Sequence, residues 1–204
     1  MDENVKLVEQ EADSAHPDNS RQEAREAHLE TRQESLAVRL RHGDRSAAAE
    51  LVDAYYEKIY LFLRRIGHNH QLSEDLTQET FMRAWDHIGQ LRDGKALNAW
   101  LYRIAGNVSR LHWRRRKGRQ LSGVEGFEAH GAGEAESDRA GHREELSQLR
   151  EAVGRLPWKL RQAIVLHYME HLTISRAAEA AGVREGTFKS RLNRALNTLR
   201  KQFA

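Results

Sequence analysis

The sequence predicts an all-α protein built as two small helical domains joined by a flexible linker. Three observations favour this fold class. The helix-forming residues Ala, Leu, Arg and Glu abound, whereas only two prolines occur among 204 residues. Apolar residues recur at spacings of three, four and seven in two separate stretches. Between those stretches, residues 118–141 contain six glycines and few apolar residues, which is typical of a flexible linker.

The first domain is expected at residues 35–117. The extension before it, residues 1–34, is acidic and has too few apolar residues to build a core, so we expect it to be disordered. From Leu36 onward, apolar residues continue at helical spacing to Ile66, apart from a break at "RHGD". This pattern predicts a helix hairpin at the start of the domain.

Two further helices complete the first domain. Ser73 is the predicted N-cap of the first of them, and Glu74 and Asp75 lie in its first turn, where acids complement the helix dipole. Asn98 is the predicted N-cap of the second, which runs into the basic segment "RLHWRRRKGR", residues 110–119. The loop between the two helices, "GQLRDGKALN", has two glycines.

The second domain is expected at residues 142–204 and ends in a helix-turn-helix. Pro157 is placed at the first turn of a helix, where its missing N–H is harmless. A short helix is predicted over 173–181, with Gly182 as a left-handed C-terminal cap. A last helix is predicted to begin near Glu185. Two helices joined by a three- or four-residue turn with a glycine are typical of this motif.

Composition and charge limit the function of the chain. It has no cysteine, which excludes disulfides and cysteine-ligated zinc. No run of about 18 apolar residues occurs and the N-terminus lacks an apolar signal core, so we expect a cytoplasmic protein without membrane insertion. No glycine-rich phosphate loop, nucleophile elbow or suitable carboxylate pair is found. We therefore expect no enzyme, no cofactor and no metal.

Positive charge is concentrated in two segments, although the formal net charge is only +3. Residues 110–119 carry six bases and no acid, and residues 184–201 carry six bases and one acid. Clustered cations in two separate helical units indicate a polyanionic partner, and nucleic acid is the partner they favour.

The last helix has the two faces that a DNA-reading helix needs. Its predicted inner face is apolar and its outer face is cationic and amide-rich, so it can lie in a major groove, where Arg pairs with guanine and Asn with adenine. The inner residues are Phe188, Leu192, Ala195, Leu196 and Leu199, and the outer ones are Lys189, Ser190, Asn193, Arg194 and Asn197. Thr187 is suited to a phosphate contact.

Three motifs in order resemble a known family. "GVREGTFKSRLNRAL" is similar to the recognition segment of bacterial sigma factors of the extracytoplasmic-function group within the sigma-70 family. "SEDLTQETFMRAW" is very like the most characteristic stretch of that group. "RHGDRSAAAELVDAYYEKIYLFLRRI" and "LNAWLYRIAGNVSRLHWRRRKG" resemble the helices on either side of it. The resemblance covers residues 36–203 apart from the linker.

The resemblance implies a role in transcription initiation. Such proteins bind core RNA polymerase, at its beta-prime clamp and beta flap, and direct it to promoter DNA. The first domain would correspond to sigma region 2, which opens the minus-10 element, and the second to sigma region 4, which reads the minus-35 element. The linker would thread toward the RNA exit path. Many such factors are also held inactive by an anti-sigma protein, and we expect one here.

The resemblance also assigns residues to these contacts. The implied polymerase-binding residues are Asp75, Gln78, Glu79, Met82, Arg83 and Trp85. The loop from residue 87 to 97 matches the family's pocket for a flipped-out promoter base. The implied minus-10 residues are Arg103, Asn107, Arg110, Trp113, Arg114, Arg115 and Arg116. The implied minus-35 residues are Thr187, Lys189, Ser190, Arg191, Asn193 and Arg194, of which Thr187 and Arg191 are expected to touch phosphate.

The chain departs from the family pattern at a few positions. Arg184 stands where Ser or Pro usually starts the recognition helix, which predicts a weaker cap. Ala177, Ala180 and Ala181 replace larger aliphatic residues, which predicts an underpacked or more closely packed motif.

Two alternative functions stay open. The chain could be a two-domain helix-turn-helix regulator that binds DNA without polymerase. It could also be an enzyme or metal protein built on its histidines, because "HYMEH" places His167 and His171 four residues apart and "HNH" places His68 near His70. A metal site would need a third ligand, and the sequence has none at suitable spacing from these histidines.

Overall fold

The computed structural model describes residues 17–121 and 140–203, and it is helical throughout those ranges apart from short turns. Four helices precede residues 122–139, which lie outside the described part, and four follow them if the short π-helical turn is counted with its neighbour. The helices of the first range are α1 (Pro17–Arg41), α2 (Arg45–Arg65), α3 (His70–His87) and α4 (Leu97–Leu121), with two single 3-10 turns, Ile88–Gln90 and Gly94–Ala96, between α3 and α4. Those of the second range are α5 (Ala140–Arg155), α6 (Trp158–Ile164), α7 (Ile174–Ala181) and α8 (Glu185–Phe203), and a π-helical turn, Val165–Met169, extends α6.

Helix α1 corrects the expected start of the first domain. Residues 17–34 were expected to be disordered, but they belong to a helix that continues to Arg41. The end of α1 is anchored because Leu36, Ala37 and Leu40 are buried in the core. The preceding residues are rich in Ala, Glu, Gln and Arg, which extend a helix at little cost once one end is fixed. Residues 1–16 lie outside the described part.

The predicted hairpin is formed by α1 and α2, and a polar cap fixes the turn between them. The Asp44 carboxylate accepts hydrogen bonds from the backbone N–H groups of Ser46 and Ala47, at 2.8 and 3.3 Å. The Ser46 hydroxyl donates to the same oxygen at 2.8 Å, and Arg39 donates to the other at 2.9 Å. These contacts, led by the Ser46 hydroxyl and then Arg39, lower the pKa of Asp44 to about 2.

Two predicted helix starts are wrong by a few residues. Asn69, not Ser73, caps α3, because its side-chain oxygen accepts from the backbone N–H of Leu72 at 2.8 Å. Ser73 lies one turn further in and is buried. Asp93 caps the 3-10 turn Gly94–Ala96, which leads directly into α4, so Asn98 lies inside the helix rather than at its cap. In both cases an earlier side chain already satisfies the free N–H groups.

The core of the first domain is built where α2, α3 and α4 pack together, with the end of α1 against them. Phe62 and Tyr102 meet edge to face at its centre, with ring centroids 5.2 Å apart.

The linker edges predicted at 118 and 141 are also wrong, because α4 continues to Leu121 and α5 begins at Ala140. Within the described ranges, none of the helices is long and apolar enough to cross a bilayer.

The cap at Asp44 generates a test of this part of the fold. Replacing Asp44 by Ala removes the acceptor for two backbone N–H groups, and we expect a lower thermal melting temperature. The melting temperature of Asp44→Asn should lie between those of the parent and Asp44→Ala. The amide oxygen of Asn can still cap the helix, but the side chain no longer carries the charge that pairs with Arg39. Asp53→Ala, an exposed change within the same helix, is the control and should leave the melting temperature near that of the parent.

The same carboxylate predicts a pH dependence. The pKa of Asp44 is lowered from 3.8 to about 2 in the folded chain, so its contribution to stability is present above pH 4. That contribution should be lost as the pH falls from about 4 toward 2. Chemical denaturation between pH 5 and 2 should therefore show a shallower decline for Asp44→Asn than for the parent, and equal slopes would contradict the assignment.

Candidate nucleic-acid interface

The helix-turn-helix forms as predicted. Thr173 caps α7 through its hydroxyl oxygen, which accepts from the backbone N–H of Arg176 at 3.3 Å. Gly182 ends α7 in the left-handed conformation, with φ of 66°. The backbone N–H of Phe188 bonds the carbonyl of Arg184, which places Arg184 at the N-cap of α8. An arginine side chain has no acceptor, so Arg184 itself cannot cap the first N–H groups of α8.

Helix α8 presents the expected outer face to solvent. Its inner side is held against the domain core by Phe188, Leu192, Ala195 and Leu199, all buried. The predicted minus-35 residues Thr187, Lys189, Ser190, Asn193 and Arg194 are exposed, and Arg191 is half-buried at the edge of the face. The rigid inner packing therefore fixes the direction in which these polar side chains point.

Helix α4 carries the second cationic face. Arg103, Asn107, Arg110 and Arg114 are exposed at spacings of four, three and four, so they form one stripe along the helix. The amide oxygen of Asn107 accepts a hydrogen bond from Arg110 at 2.8 Å. Exposed Arg115 extends the stripe, and Arg116 follows on the same helix with its side chain outside the described part.

Trp113 differs from the other predicted minus-10 residues because its ring packs within the protein. It stacks on His68 with ring centroids 5.5 Å apart, and His112 meets both rings edge to face. The indole N–H is buried and has no acceptor among the described residues. His68 is itself buried and its Nε2 lies 2.7 Å from the hydroxyl of Ser109. This cluster ties the second half of α4 to the turn between α2 and α3.

A cleft of about 390 Å³ opens beside the cationic stripe, where the end of α3 meets α4. It is lined by Arg83, His87, Gln90, Trp100, Arg103, Ile104 and Asn107. The cleft thus joins one predicted polymerase residue, two predicted minus-10 residues and the start of the predicted base-pocket loop. Its volume and its mixture of aromatic, cationic and amide groups suit a planar polar ligand.

Gln90 falls within the predicted base-pocket loop, whereas Trp100 is a residue of the cleft that was not among the predicted site residues, because its position in the family pattern implies a core residue. Trp100 is only half-buried and one side of it faces the cleft. The available signal was its position four residues before Ile104 and seven before Asn107, on the same side of α4. Core and cleft lie on adjacent sides of this helix, so spacing alone could not separate them.

Four of the predicted polymerase residues form an exposed surface on α3, whereas Arg83 also lines the cleft. Asp75, Gln78, Met82 and Trp85 are exposed, and Met82 is the most exposed large apolar side chain described, at 67%. Arg83 and Glu79 are half-buried and form an ion pair with each other at 2.5 Å. Next to this surface, Tyr56 of α2 is also partly exposed and stacks on Phe81.

The four histidines considered as metal ligands, His68, His70, His167 and His171, all lie in the described part of the chain. Within residues 17–121 and 140–203, no group of three or more His, Asp or Glu side chains is placed to hold a metal ion. His167 is engaged elsewhere, with its Nδ1 2.8 Å from the carbonyl oxygen of Leu172 and its ring against Tyr168.

Comparison with known proteins places both domains in one family. Residues 51–119 match Sigma-70 region 2, and residues 146–199 match Sigma-70, region 4. The chain is 32% identical over 173 residues to the ECF RNA polymerase sigma factor SigW of Bacillus subtilis, covering 80% of this chain and 92% of that protein. It is also 32% identical over 177 residues to the RNA polymerase sigma-H factor of Pseudomonas aeruginosa, covering 82% and 92%.

Solved structures show the same fold. The sigma factor RpoE in complex with the anti-sigma factor NepR from Bartonella quintana is 29% identical, with a TM-score of 0.57, and the match covers 75% of this chain and 94% of that one. CnrH in complex with the cytosolic domain of CnrY superposes with a TM-score of 0.63 at 23% identity, over 84% and 96% of the two chains. Family, relatives and fold agree, and the chain belongs to the extracytoplasmic-function group of sigma-70 family RNA polymerase sigma factors.

Proposed function

We propose that this chain binds core RNA polymerase and directs it to promoters, with the first domain melting the minus-10 element and the second reading the minus-35 element. The observation that carries the proposal is the presence of two exposed cationic helix faces, on α4 and α8, in one chain with an exposed apolar surface on α3. A regulator that only binds DNA would need the cationic faces of α4 and α8 but not the exposed apolar surface on α3. That apolar surface is explained if the chain docks on a large protein partner.

The minus-35 contact is assigned to α8 in the major groove. Lys189, Ser190, Asn193 and Arg194 project from one exposed side and can reach base edges. We assign phosphate contacts to Thr187, at the exposed start of the helix, and to Arg191, at its edge.

The minus-10 contact is assigned to α4 and the adjoining cleft. Opening of the duplex exposes unstacked bases, which proteins hold by stacking on aromatic rings and by cations along the backbone. Trp100 and Asn107 line the cleft, and Arg103 extends from it onto the stripe, so a base in the cleft would leave its backbone beside Arg103 and Arg110. Trp113 is packed against His68, and its contribution is to hold α4 in place.

The polymerase contact is assigned to the exposed side of α3, facing the beta-prime clamp, with the second domain meeting the beta flap. An anti-sigma partner is supported because the similar sigma factor RpoE was solved in complex with the anti-sigma factor NepR. We infer that this chain also has an anti-sigma partner, and that it acts in the cytoplasm, where polymerase and promoter meet. In this account catalysis belongs to the polymerase.

The polymerase surface predicts the effect of removing its apolar side chains. Met82→Ala and Trp85→Ala should each weaken binding to core polymerase, because exposed aromatic and thioether side chains at the centre of an interface contribute about 1–2 kcal/mol or more. Competition titration with a labelled parent chain measures this. Leu29→Ala, which removes from α1 an apolar side chain of intermediate exposure between Met82 and Trp85, is the control. If both α3 variants bind core polymerase as tightly as the parent, the polymerase binds a different surface of the chain.

The recognition face predicts a change in base preference. Arg194→Ala should cost about 1–3 kcal/mol at one base pair of the minus-35 element and relax the preference there. Arg200→Ala, two turns nearer the end of the same helix, should lower affinity without changing preference. Binding to a library of minus-35 duplexes measures both. An unchanged preference in Arg194→Ala would show that another face of α8 enters the groove.

The α4 stripe predicts a change in salt dependence. Arg114→Ala combined with Arg115→Ala should weaken binding to a single-stranded minus-10 oligonucleotide and reduce the slope of log K against log salt by about 1.4. Arg150→Ala combined with Arg155→Ala removes two exposed arginines from α5 and serves as the control. If the two double variants show the same slope, the arginine stripe of α4 does not contact the DNA.

A further inference from the structure

Helix α1 belongs to none of the DNA or polymerase surfaces assigned above, although it is 25 residues long. It ends at Arg41, before residue 51, where the match to Sigma-70 region 2 begins. Its most extensive packing among the described elements is with the 3-10 turn Gly94–Ala96. That turn lies in the predicted base-pocket loop, residues 87–97, so α1 is the element on which this loop rests.

The backbones of α1 and the loop come into direct contact at Gly94. A Cβ built on Gly94 would lie 2.7 Å from the Cα of Glu34 and 3.2 Å from the Cβ of Ala37. Carbon atoms pack at about 3.5–4.0 Å, so no side chain fits between the loop and α1 at this point. The φ of Gly94 is not positive, and the close contact rather than the backbone conformation therefore accounts for the glycine.

Arg41, at the end of α1, holds a second point of the loop. Its guanidinium donates a hydrogen bond to the carbonyl oxygen of Leu91 at 3.1 Å. Leu91 lies between the two 3-10 turns, and its side chain is buried in the core. A carbonyl between two single turns lies outside regular helical hydrogen bonding, so a side-chain donor from α1 satisfies it.

The part of the loop between these two points and α4 is held together by its own hydrogen bonds. The Asp93 carboxylate accepts from the backbone N–H of Lys95 at 3.0 Å, and the Asp93 carbonyl accepts from the backbone N–H of Ala96 at 3.1 Å. Lys95 also lies 3.8 Å from Glu30 of α1, but both side chains are well exposed, so this ion pair contributes little. We therefore expect the loop to shift as one piece when its contact with α1 changes.

The first residues of the same loop form one wall of the cleft. His87 and Gln90 line the cleft, and Gln90 directly precedes Leu91, which Arg41 holds. The opposite wall includes Trp100 of α4, the helix into which the loop leads. The position of the loop therefore sets the distance between the two walls. A ligand site works only when its groups are held within about 0.5 Å of the productive geometry.

We propose that α1 supports the base-binding cleft. Through Gly94 and Arg41 it holds the loop at the position in which the cleft selects an unstacked minus-10 base. Both are positioning residues, because they act through the loop and not by touching the base. The proposal rests on the proposed function, which assigns the minus-10 base to this cleft.

A positioning role and a merely stabilising role predict different results. If α1 only stabilises the first domain, weakening its contact with the loop lowers the melting temperature and leaves the base preference of the cleft unchanged. If α1 positions the loop, the preference changes in a chain that still folds. Base preference is therefore the quantity to measure, with the melting temperature recorded beside it.

Selection from a pool of single-stranded oligonucleotides of random sequence measures this preference. The full chain is used in complex with core polymerase, and the bound oligonucleotides are sequenced. The parent complex should enrich one base at one position. Gly94→Ala should reduce that enrichment about tenfold, because the added methyl group moves the loop and α1 apart by roughly 1 Å.

Matched controls separate the contact from the chemical change. Gly154→Ala adds the same methyl group in α5, where it meets no other atom within 4 Å, and should keep the enrichment of the parent. Arg41→Ala should reduce the enrichment, and Arg41→Lys should restore part of it, because an ammonium group can still donate to the carbonyl of Leu91. Arg45→Ala removes the same charge from an exposed position on α2 and should behave as the parent.

Two further measurements accompany each variant. Circular dichroism shows whether the helices are retained. Affinity for minus-35 duplexes depends on α8 and should equal that of the parent throughout. If Gly94→Ala does not fold, the comparison of Arg41→Ala with Arg41→Lys decides by the same criteria.

Each outcome of the selection is decisive. Reduced enrichment in Gly94→Ala and Arg41→Ala, with the enrichment of the parent in both controls, would support the role of α1. An unchanged preference in Gly94→Ala and Arg41→Ala, even with a lower melting temperature, would overturn that role and leave the proposed function intact. A parent complex that enriches no base would refute the assignment of the minus-10 base to the cleft, and the role of α1 with it.

Discussion

Helix α4 has to satisfy three sets of neighbours at once, and the rest of the structure depends on how it does so. One side, with Leu101, Ala105 and Val108, completes the core of the first domain. The adjacent side holds the arginine stripe in solvent and borders the cleft. A third side, opened by Gly106, receives the second domain. A helix can carry three functions because residues three and four apart share a side while their neighbours do not.

The sequence indicated the parts of the fold that depend on local periodicity and end signals. The inner face of α8, the left-handed Gly182 and the exposed Arg194 all followed from spacing and residue type. The start of α3 did not, because Asn69 and Ser73 are both good caps and only the folded chain shows which one the N–H groups use. Helix α1 was missed because apolar counting ignores helix propensity and the anchoring effect of Leu40 at one end.

The candidate site, like the fold, was predictable from the sequence only where it depends on local pattern. Charge clusters and helix faces indicated where nucleic acid would bind, but the cleft forms between α3 and α4 and depends on how these helices cross. Trp113 resembles a stacking residue in the sequence, and its place against His68 is a tertiary contact that no spacing rule contains. The hydrogen bond from Arg41 to Leu91 joins residues 50 positions apart, so it too was beyond a reading of local pattern.

Run-off transcription with core RNA polymerase measures the central claim, that two tethered cationic domains guide one enzyme to a start site. The templates should vary the minus-10 and minus-35 elements independently. The account predicts transcripts from one defined start that require the chain and disappear when either element is scrambled. Start sites that are the same with and without the chain, on every template, would contradict it.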